Sequence, residues 1–277
     1  MDHANAFSEK IKNRKKITGT MLSEISIPNV VRILKAAGFE FIIVDCEHGY
    51  FDYSQIAALI AMGTGFDIPV VVRIPAITRE FVTKVLDMGA AGLLAPMVNS
   101  EEEAKALVSF AKYMPMGKRG ISTQRAHTNY NPPPLKEYMG MANDNTILMV
   151  QIETRQGLKN LEKIAAVEGI DGIIAGPNDL AADMGIPGDT ESEKLIEALE
   201  RITFQAEKSG KSSGIITSNL CLIRICESKG MNVFSYNSEV GMLMEGAREA
   251  IRKYQSQADR IAMPEGIRGG ILPKDST

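Results

Sequence analysis

The sequence predicts a (β/α)8 barrel, an α/β fold in which parallel strands alternate with helices. Short apolar runs rich in β-branched residues alternate with longer segments of helical periodicity, and eight such units can be counted. This pattern is typical of parallel strands joined by helices. The chain has 277 residues, and a barrel of this kind typically needs about 250. We therefore expect one main domain over residues 1–277, with an irregular tail over residues 255–277.

The elements follow in order. A basic run over residues 10–16 is interpreted as the polar face of an N-terminal helix. Ser100 precedes three glutamates, and a hydroxyl cap followed by early acids is typical of a helix start. The predicted strands cover residues 17–22, 41–45, 70–74, 92–96, 147–152, 172–175, 213–217 and 232–236. Helices are predicted to begin near Pro28, Tyr53, Thr78, Ser100, Thr154, Asn178, Asn219 and Ser238.

A long connection joins the fourth unit to the fifth strand, and it contains Gly117, Gly120 and the proline-rich run 131–134. Long loops at the catalytic face of a barrel are usually lids or substrate walls, so this segment is expected to border the site. Arg119 and Arg125 are candidates for contact with an anionic substrate. Solvated loop charges are the more common explanation.

Composition narrows the class of protein. Hydrophobic residues make up 44% and charged residues 23%, as in ordinary globular proteins. The net charge of −3 and the lack of a long basic stripe argue against nucleic-acid binding. Without an apolar run of about 18 residues or a signal-peptide core, no membrane association is expected. Cys46, Cys221 and Cys226 lack metal-site spacing, which fits reduced thiols in a cytoplasmic protein.

Two carboxylates stand at neighbouring strand ends. Glu153 ends the fifth predicted strand, and Asp179 follows the sixth. Because the carboxyl ends of barrel strands gather at the mouth, the two are candidate ligands for a hard divalent cation. Alternatively, Asp179 caps the next helix and Glu153 pairs with Arg155 or Lys159.

The second predicted strand ends in Asp45-Cys46-Glu47-His48. Imidazole titrates near neutral pH, so His48 is the leading candidate for a general base. Asp45 would orient the ring or raise its basicity; a structural histidine and a hydrogen-bonded strand-end carboxylate are the alternatives. Cys46 lies within an apolar strand and is interpreted as packed rather than nucleophilic.

Arg73 ends the third predicted strand after three valines. Its planar guanidinium suits an oxyanion in a polar cleft. A buried ion pair with Asp45 or Glu47 is the alternative, and both interpretations can hold together. The turn of Gly176, Pro177 and Asn178 also leads from a strand end into a helix, where backbone N–H groups can face an anion.

A cation, a base and an arginine at one rim suit enolate chemistry, in which a 2-oxo acid chelates the cation and the cation acts as a Lewis acid. No lysine stands at a strand end, since Lys105, Lys112 and Lys159 fall on helical segments. A Schiff-base mechanism is therefore disfavoured. The absence of GxxxxGK[ST] and GxGxxG weakens nucleotide-binding interpretations.

The chain resembles the HpcH/HpaI family of metal-dependent class II pyruvate aldolases, which includes 4-hydroxy-2-oxoheptanedioate and 2-dehydro-3-deoxyglucarate aldolases. The resemblance covers about residues 17–247. It implies a barrel whose eighth helix packs on a neighbouring subunit, in a homo-oligomer (trimer or hexamer). Its landmarks are Asp45-x-Glu47-His48, Arg73-Ile74-Pro75, Leu86-Asp87-x-Gly89-Ala90-x-Gly92, Gly117-x-Arg119-Gly120, Gln151-Ile152-Glu153 and Gly176-Pro177-x-Asp179-Leu180.

The resemblance also implies roles for individual residues. The cation, Mg²⁺, Mn²⁺ or Co²⁺, would be held by Glu153 and Asp179. His48, paired with Asp45, would move the proton of the substrate's 4-hydroxyl. Asp87 would orient the site from its own or the adjacent subunit, with a helix-end charge as the alternative. Pyruvate would be positioned by Arg73, Gln151, Gly176, Pro177 and Asn178.

The expected function is reversible cleavage of a 4-hydroxy-2-oxo acid to pyruvate and an aldehyde through an enolate held by the cation. An oxaloacetate decarboxylase or citrate-lyase-like enzyme using the same site is the alternative, and a non-catalytic anion binder is a third hypothesis. The chain departs from the family at Asn178, where alanine is frequent, at residues 236–239, where Gly-x-Asp is frequent, and over residues 121–125 of the long loop. These changes bear on the aldehyde half of the substrate.

Overall fold

A computed structural model of the chain describes residues 2–261, with side chains described for residues 5–256. Eight parallel strands form a closed barrel, in which each pairs with its neighbours in chain order and the last pairs with the first. The predicted (β/α)8 fold is therefore confirmed. The strands are β1 (Ile17–Leu22), β2 (Phe41–Asp45), β3 (Val70–Arg73), β4 (Gly92–Ala95), β5 (Ile147–Ile152), β6 (Gly172–Ala175), β7 (Ser212–Thr217) and β8 (Val233–Ser238).

The eight helices whose starts were predicted begin within one residue of them, and local capping fixes several of these starts. The side chains of Thr78, Ser100, Thr154 and Asn219 each accept an N–H from the first turn of the following helix. The helices are α1 (Asp2–Lys12), α2 (Asn29–Ala36), α3 (Tyr53–Gly65), α4 (Arg79–Asp87), α5 (Glu101–Ala111), α6 (Leu135–Asn145), α7 (Arg155–Lys159), α8 (Leu161–Ala165), α9 (Pro177–Asp183), α10 (Glu193–Lys208), α11 (Leu220–Ser228) and α12 (Glu239–Ile261).

Helix α1 closes the amino end of the barrel. Phe7 and Ile11 are buried against side chains that point into the barrel from the strands, and the rings of Phe7 and Phe41 lie 5.7 Å apart. Full burial of such a side chain contributes about 1.5–3 kcal/mol. The interior is therefore filled at this end, and chemistry is left to the opposite, carboxyl end.

The long segment between α5 and β5 lies at the amino end, so the expectation that it borders the catalytic face is wrong. A connection that runs from a helix to the next strand must arrive where that strand begins. The segment contains a short 3-10 turn (Ala126–Thr128) and α6. Lys112 anchors it from α5, since its Nζ donates to the carbonyls of Asn143 (2.6 Å) and Thr146 (2.5 Å).

Helix α12 runs to Ile261, so residues 255–261, expected to be irregular, are helical. The rest of the predicted tail, residues 262–277, lies outside the described residues. The chain divides into two compact units, one up to Glu239 and one from Val240 onward. Among the described helices, none has the length and apolar character needed to cross a membrane.

Candidate active site

Arg73 and Asp45 form a buried, two-pronged ion pair at the carboxyl ends of β2 and β3. The strands are in register at these two residues. Arg73 Nε donates to Asp45 Oδ1 at 2.8 Å and Nη2 to Oδ2 at 2.7 Å, and Nη1 lies 3.0 Å from Glu47 Oε2. The ion pair foreseen as the alternative is thus present. It fixes the plane of the guanidinium in the mouth of the barrel.

His48 stands at the rim, with 70% of its side chain exposed. Its Nε2 lies 3.8 Å from Glu47 Oε2. Asp45 does not contact the ring: its Oδ1 accepts the backbone N–H groups of Glu47 (3.0 Å) and His48 (3.4 Å). The expectation that Asp45 orients the imidazole is therefore not met in this structure. Asp45 shapes the turn that carries His48, and Glu47 is the carboxylate beside the ring.

Glu153 is almost fully buried, with 2% exposure. Its Oε1 accepts the Met97 N–H at 2.6 Å, and its Oε2 accepts Gln151 Nε2 at 2.6 Å. The alternative pairing with Arg155 is not formed, because Arg155 contacts Asp183 instead. Glu153 thus faces the interior of the mouth, directly after β5, the strand that carries the predicted substrate ligand Gln151.

Gly176 lets the β6–α9 turn approach these two side chains closely. A Cβ built on Gly176 would lie 2.6 Å from Gln151 Nε2 and still closer to Glu153 Oε2. Pro177 opens α9 and is buried, while Asn178 and Asp179 lie exposed in its first turn. The N-cap position is Gly176, which has no side-chain cap, so Asp179 does not cap this helix as the alternative proposed.

The mouth carries more negative than positive charge. Burial, reinforced by the charges of Glu47 and Asp179, raises the pKa of Glu153 to about 7, against the opposing hydrogen bond from Met97 and the charge of Arg73. Burial likewise raises the pKa of Glu47, which also feels the charge of Asp179. Glu47 and Asp179 are therefore close enough for their charges to act on Glu153, and Arg73 is the neighbouring cation.

The carboxylates at the mouth fit a hard divalent cation whose remaining ligands are water and substrate oxygens. Within residues 2–261 no group of three or more His, Cys, Asp or Glu side chains is arranged to hold a metal ion by itself. Glu153 and Asp179 supply two carboxylates, and Mg²⁺ is commonly bound by one or two carboxylates together with water and substrate oxygens. The raised pKa of Glu153 shows how strongly the site would gain from a nearby positive charge.

Neither Cys46 nor Lys112 is suited to act as a nucleophile at the mouth of the barrel. Burial raises the pKa of Cys46 to about 12, so its thiol stays protonated, which supports treating it as a packing residue. Burial lowers the pKa of Lys112 to about 8, a value that would suit a Schiff base. However, this lysine is bonded to backbone carbonyls at the amino end of the barrel.

Asp87 is not brought to the mouth in its own chain. It ends α4, at the amino end, and its Oδ1 lies 2.7 Å from Arg119 Nη2. His127 Nδ1 lies 3.1 Å from the Asp87 carbonyl. Arg119 likewise points away from the substrate region that the sequence assigned to it.

Two site contacts escaped the sequence interpretation. The Met97 N–H that binds Glu153 is presented by a backbone with φ 53°, which no residue pattern signals. Glu239, at the end of β8, accepts the backbone N–H groups of Ser23 (2.8 Å), Glu24 (2.6 Å) and Ile25 (3.0 Å). An acid after the eighth strand was visible in the sequence, but its partner on the first loop was not.

A closed parallel barrel whose carboxyl end holds a buried arginine among several carboxylates is the architecture of a barrel enzyme for anionic substrates. Residues 20–239 match the family described as HpcH/HpaI aldolase/citrate lyase. The chain belongs to this family.

Named relatives agree. The chain is 36% identical over 229 residues to a hydroxypyruvate/pyruvate aldolase of Roseovarius nubinhibens, covering 83% of this chain and 89% of that protein. It is 30% identical over 258 residues to a 4-hydroxy-2-oxo-heptane-1,7-dioate aldolase of Escherichia coli, covering 93% and 97%. An HpcH/HpaI aldolase from Desulfitobacterium hafniense has a crystal structure that superposes with a TM-score of 0.86 at 31% identity, covering 93% and 97%. The chain is accordingly an enzyme of the aldolase type.

Proposed function

We propose that the protein is a divalent-metal-dependent aldolase that reversibly cleaves a 4-hydroxy-2-oxo acid to pyruvate and an aldehyde. The observation that carries this proposal is the buried Glu153, held between Gln151 and Met97 and surrounded by further acids and Arg73. The relatives described above are named as pyruvate or 4-hydroxy-2-oxo acid aldolases. They do not favour the oxaloacetate decarboxylase or citrate-lyase-like alternative.

Glu153 and Asp179 would hold the cation, which we propose to be Mg²⁺, Mn²⁺ or Co²⁺. When bound, it would supply Lewis-acid stabilisation of negative charge on the substrate's keto oxygen. The substrate carboxylate would be positioned by the residues of the β6–α9 turn, Gly176, Pro177 and Asn178. Gln151 fixes Glu153 through its Nε2 and would orient the same end of the substrate.

Arg73 supplies the permanent positive charge. Two of its donors are committed to Asp45, so substrate oxygen would compete with Glu47 for Nη1. As the substrate's C3–C4 bond breaks, its electron pair passes to the 2-oxo fragment as an enolate. A fixed guanidinium then stabilises charge that develops only along the reaction.

His48 would move the proton. In the cleavage direction it takes the proton of the 4-hydroxyl, so that C4–O becomes the aldehyde carbonyl. A proton then adds to C3 of the enolate and gives the methyl group of pyruvate. The exposed ring can reach a ligand in the open mouth, and its Nε2 lies 3.8 Å from Glu47 Oε2.

Asp87 can serve a mouth only in another copy of the chain, because in its own chain it lies at the amino end. We therefore propose a homo-oligomer, trimeric or hexameric, in which Asp87 borders a neighbouring site. Asp87→Asn and Glu153→Gln proteins should each be inactive and should regain activity after mixing and subunit exchange. If the mixture stays inactive while both proteins exchange subunits, Asp87 does not act across an interface.

The proposed function is tested by proton–deuterium exchange of the pyruvate methyl group, followed by NMR, before and after adding Mg²⁺, Mn²⁺ or Co²⁺ to metal-stripped protein. We expect exchange that depends on the cation and is lost in Glu153→Gln. Glu197→Gln, which changes an exposed acid on α10, should behave like the wild type. A panel of 4-hydroxy-2-oxo acids would then identify the aldehyde.

Three results would contradict the proposal. Full exchange by Glu153→Gln in the presence of a chelator would exclude the cation site. A kcat/KM for oxaloacetate that exceeds those of all the 4-hydroxy-2-oxo acids by orders of magnitude would favour the decarboxylase. Binding of pyruvate in calorimetry without exchange under any cation would support a non-catalytic binder.

A further inference from the structure

A second pocket, which we call the basal pocket, lies at the amino end of the barrel. It is bordered by α1, α3, α4, α6 and the segment between α5 and β5, and its volume is about 100 Å³. A cavity of about 150 Å³ accommodates benzene, so there is room here for a molecule of about four heavy atoms. About half of its wall is apolar, including Leu86 and Ala142, and Arg119 and His127 contribute to the polar half.

Arg119 offers this pocket a hydrogen-bond donor. The residue is 6% exposed. Its Nη2 is used by Asp87, and its guanidinium lies over the ring of Tyr113, 4.8 Å from the centroid. Its Nε–H is buried and has no partner. A buried donor without a partner is costly, so a ligand that accepts this N–H would be bound favourably.

His127 offers a second polar atom. Its Nδ1 contacts the carbonyl of Asp87 at 3.1 Å. A carbonyl only accepts, so Nδ1 carries the hydrogen. Nε2 is buried and without a partner. It is an acceptor while the ring is neutral and becomes a donor once the ring is protonated.

The charges around His127 favour an anion. Helix α4 contributes Asp87, α6 contributes Tyr138, whose ring lies 5.5 Å away, and the connecting segment contributes Arg119 and Arg125. Two arginines thus face one aspartate. Burial lowers the pKa of His127, and the arginines lower it further, against the opposing contact with Asp87. An anion in the pocket would oppose that effect and stabilise the protonated ring.

We propose that the basal pocket binds a small monovalent oxyanion of about four heavy atoms, which accepts hydrogen bonds from Arg119 Nε–H and from the protonated Nε2 of His127. The apolar half of the wall favours an anion with a short carbon end, such as acetate, over a purely inorganic one. This site is separate from the mouth of its own chain, and its binding of an anion does not rest on the aldolase reaction. Because a proton enters with the anion, affinity rises as the pH falls.

Histidine NMR tests this directly, since the chain contains three histidines, His3, His48 and His127. In metal-free protein labelled with ¹⁵N-histidine, the ring signals report tautomer and protonation at each position. His127→Phe identifies the His127 signals, and His48 reports on any anion in the mouth. Sodium acetate and sodium nitrate are titrated against sodium chloride at equal ionic strength, at about pH 6 and about pH 8.

We expect acetate to convert His127 saturably from the neutral Nδ1–H form to the protonated form, at lower concentration at the lower pH, and to do so more effectively than nitrate. Chloride should have no such effect. If acetate and nitrate act on His127 no more than chloride does, the pocket holds water alone and the proposal fails. It also fails if only His48 responds, because the anion then binds in the mouth.

Variants locate the effect. Ala142→Leu fills the pocket and keeps both polar groups, whereas His127→Phe keeps a ring against Tyr138 and loses Nε2. Acetate should raise the melting temperature of the wild type and of neither variant. Gly140→Ala, on the same helix with open space around the new Cβ, is the matched control and should retain the shift. An equal shift in all four proteins would overturn the assignment to this pocket.

Discussion

Two arginine–aspartate pairs, one buried and one partly buried, lie at opposite ends of the barrel, and their neighbouring charges differ in sign. Arg73 and Asp45 pair at the carboxyl end, and Arg119 and Asp87 at the amino end, each with an Nη2–Oδ distance of 2.7 Å. Further acids surround the first pair, whereas a second arginine and a histidine accompany the other pair. Since the paired charges largely cancel, the neighbouring charges distinguish the two ends, and they underlie the proposals of a cation at the mouth and an anion at the base.

The largest expected effect is on catalytic activity, which a substitution at the mouth should lower and a substitution at the base should not. Asp179→Asn should lower metal-dependent kcat/KM by about 1,000-fold or more, because the cation contributes several kcal/mol to the transition state. His127→Phe at the base should leave kcat/KM within about twofold. Asp189→Asn, an exposed acid after α9, controls for the loss of a negative charge. Retention of metal-dependent activity by Asp179→Asn would remove the cation from the mouth.

The second prediction compares the pairs as structural elements. Arg73→Met should lower the free energy of unfolding by about 3–5 kcal/mol, because it leaves a buried carboxylate without its partner. Arg119→Met should cost less, because the Asp87 side chain is 19% exposed and that of Asp45 only 2%. Urea unfolding of both variants measures the difference. A larger loss for Arg119→Met would reverse the ranking of the two ends.

The third prediction uses pH at the mouth of the metal-free protein. The pKa of Glu153, about 7 in the folded chain, exceeds the value of about 4.3 of an unfolded glutamate. The folded chain therefore binds more protons between these values, and the stability this group contributes is lost as the pH rises through about 7. Relative to Glu153→Gln, the wild type should lose about 2–3 kcal/mol between about pH 5 and about pH 7.5.

Unfolding measured at both pH values checks this slope, with Glu197→Gln as the matched control, which should follow the wild type. Saturating Mg²⁺ should abolish the slope, because the cation binds the ionised carboxylate and opposes its protonation. A flat profile in the metal-free wild type would show that Glu153 is solvated rather than buried.

The fourth prediction concerns Lys112 at the amino end of the barrel, where stability should rise with pH instead of falling. Burial lowers the pKa of Lys112 to about 8, below the value of about 10.4 of an unfolded lysine. The unfolded chain then binds more protons, so the cost of burying the ammonium is relieved as the pH rises above about 8. Relative to Lys112→Met, the wild type should gain about 2 kcal/mol between about pH 8 and about pH 9.5.

Unfolding measured at both pH values tests this, and Lys136→Met, an exposed change on α6, should run parallel to the wild type. If the difference between the wild type and Lys112→Met does not change with pH, the ammonium keeps its charge throughout, held by the two carbonyls that it contacts.

The fold and the set of strand-end residues could be predicted because both follow from local patterns. Apolar runs mark the strands, and caps such as Ser100 mark the helix starts. Once eight parallel strands close, their carboxyl ends must share one rim, so Arg73 and Glu153 could be assigned to it from chain order alone. The proposed roles of these residues rest on chemistry that the fold does not fix.

The features that the sequence did not predict depend on which end of the barrel a segment reaches and on which partner a side chain contacts. The segment after α5 was assigned to the wrong end because its length was weighed and its direction was not. The sequence left more than one partner open for Asp45, since a carboxylate at a strand end can reach a ring, a backbone turn or an arginine on the next strand. Register between β2 and β3 settles this choice in favour of Arg73.

The carboxylate of Glu239 has a consequence for the order in which the protein is built. This side chain binds three successive backbone N–H groups just after β1, more than 210 residues earlier in the chain. During synthesis, therefore, the first loop of the mouth lacks this anchor until the eighth strand has left the ribosome and docked. The rim becomes complete only with the last strand of the barrel, so a nascent chain that stops before Glu239 leaves this loop untethered.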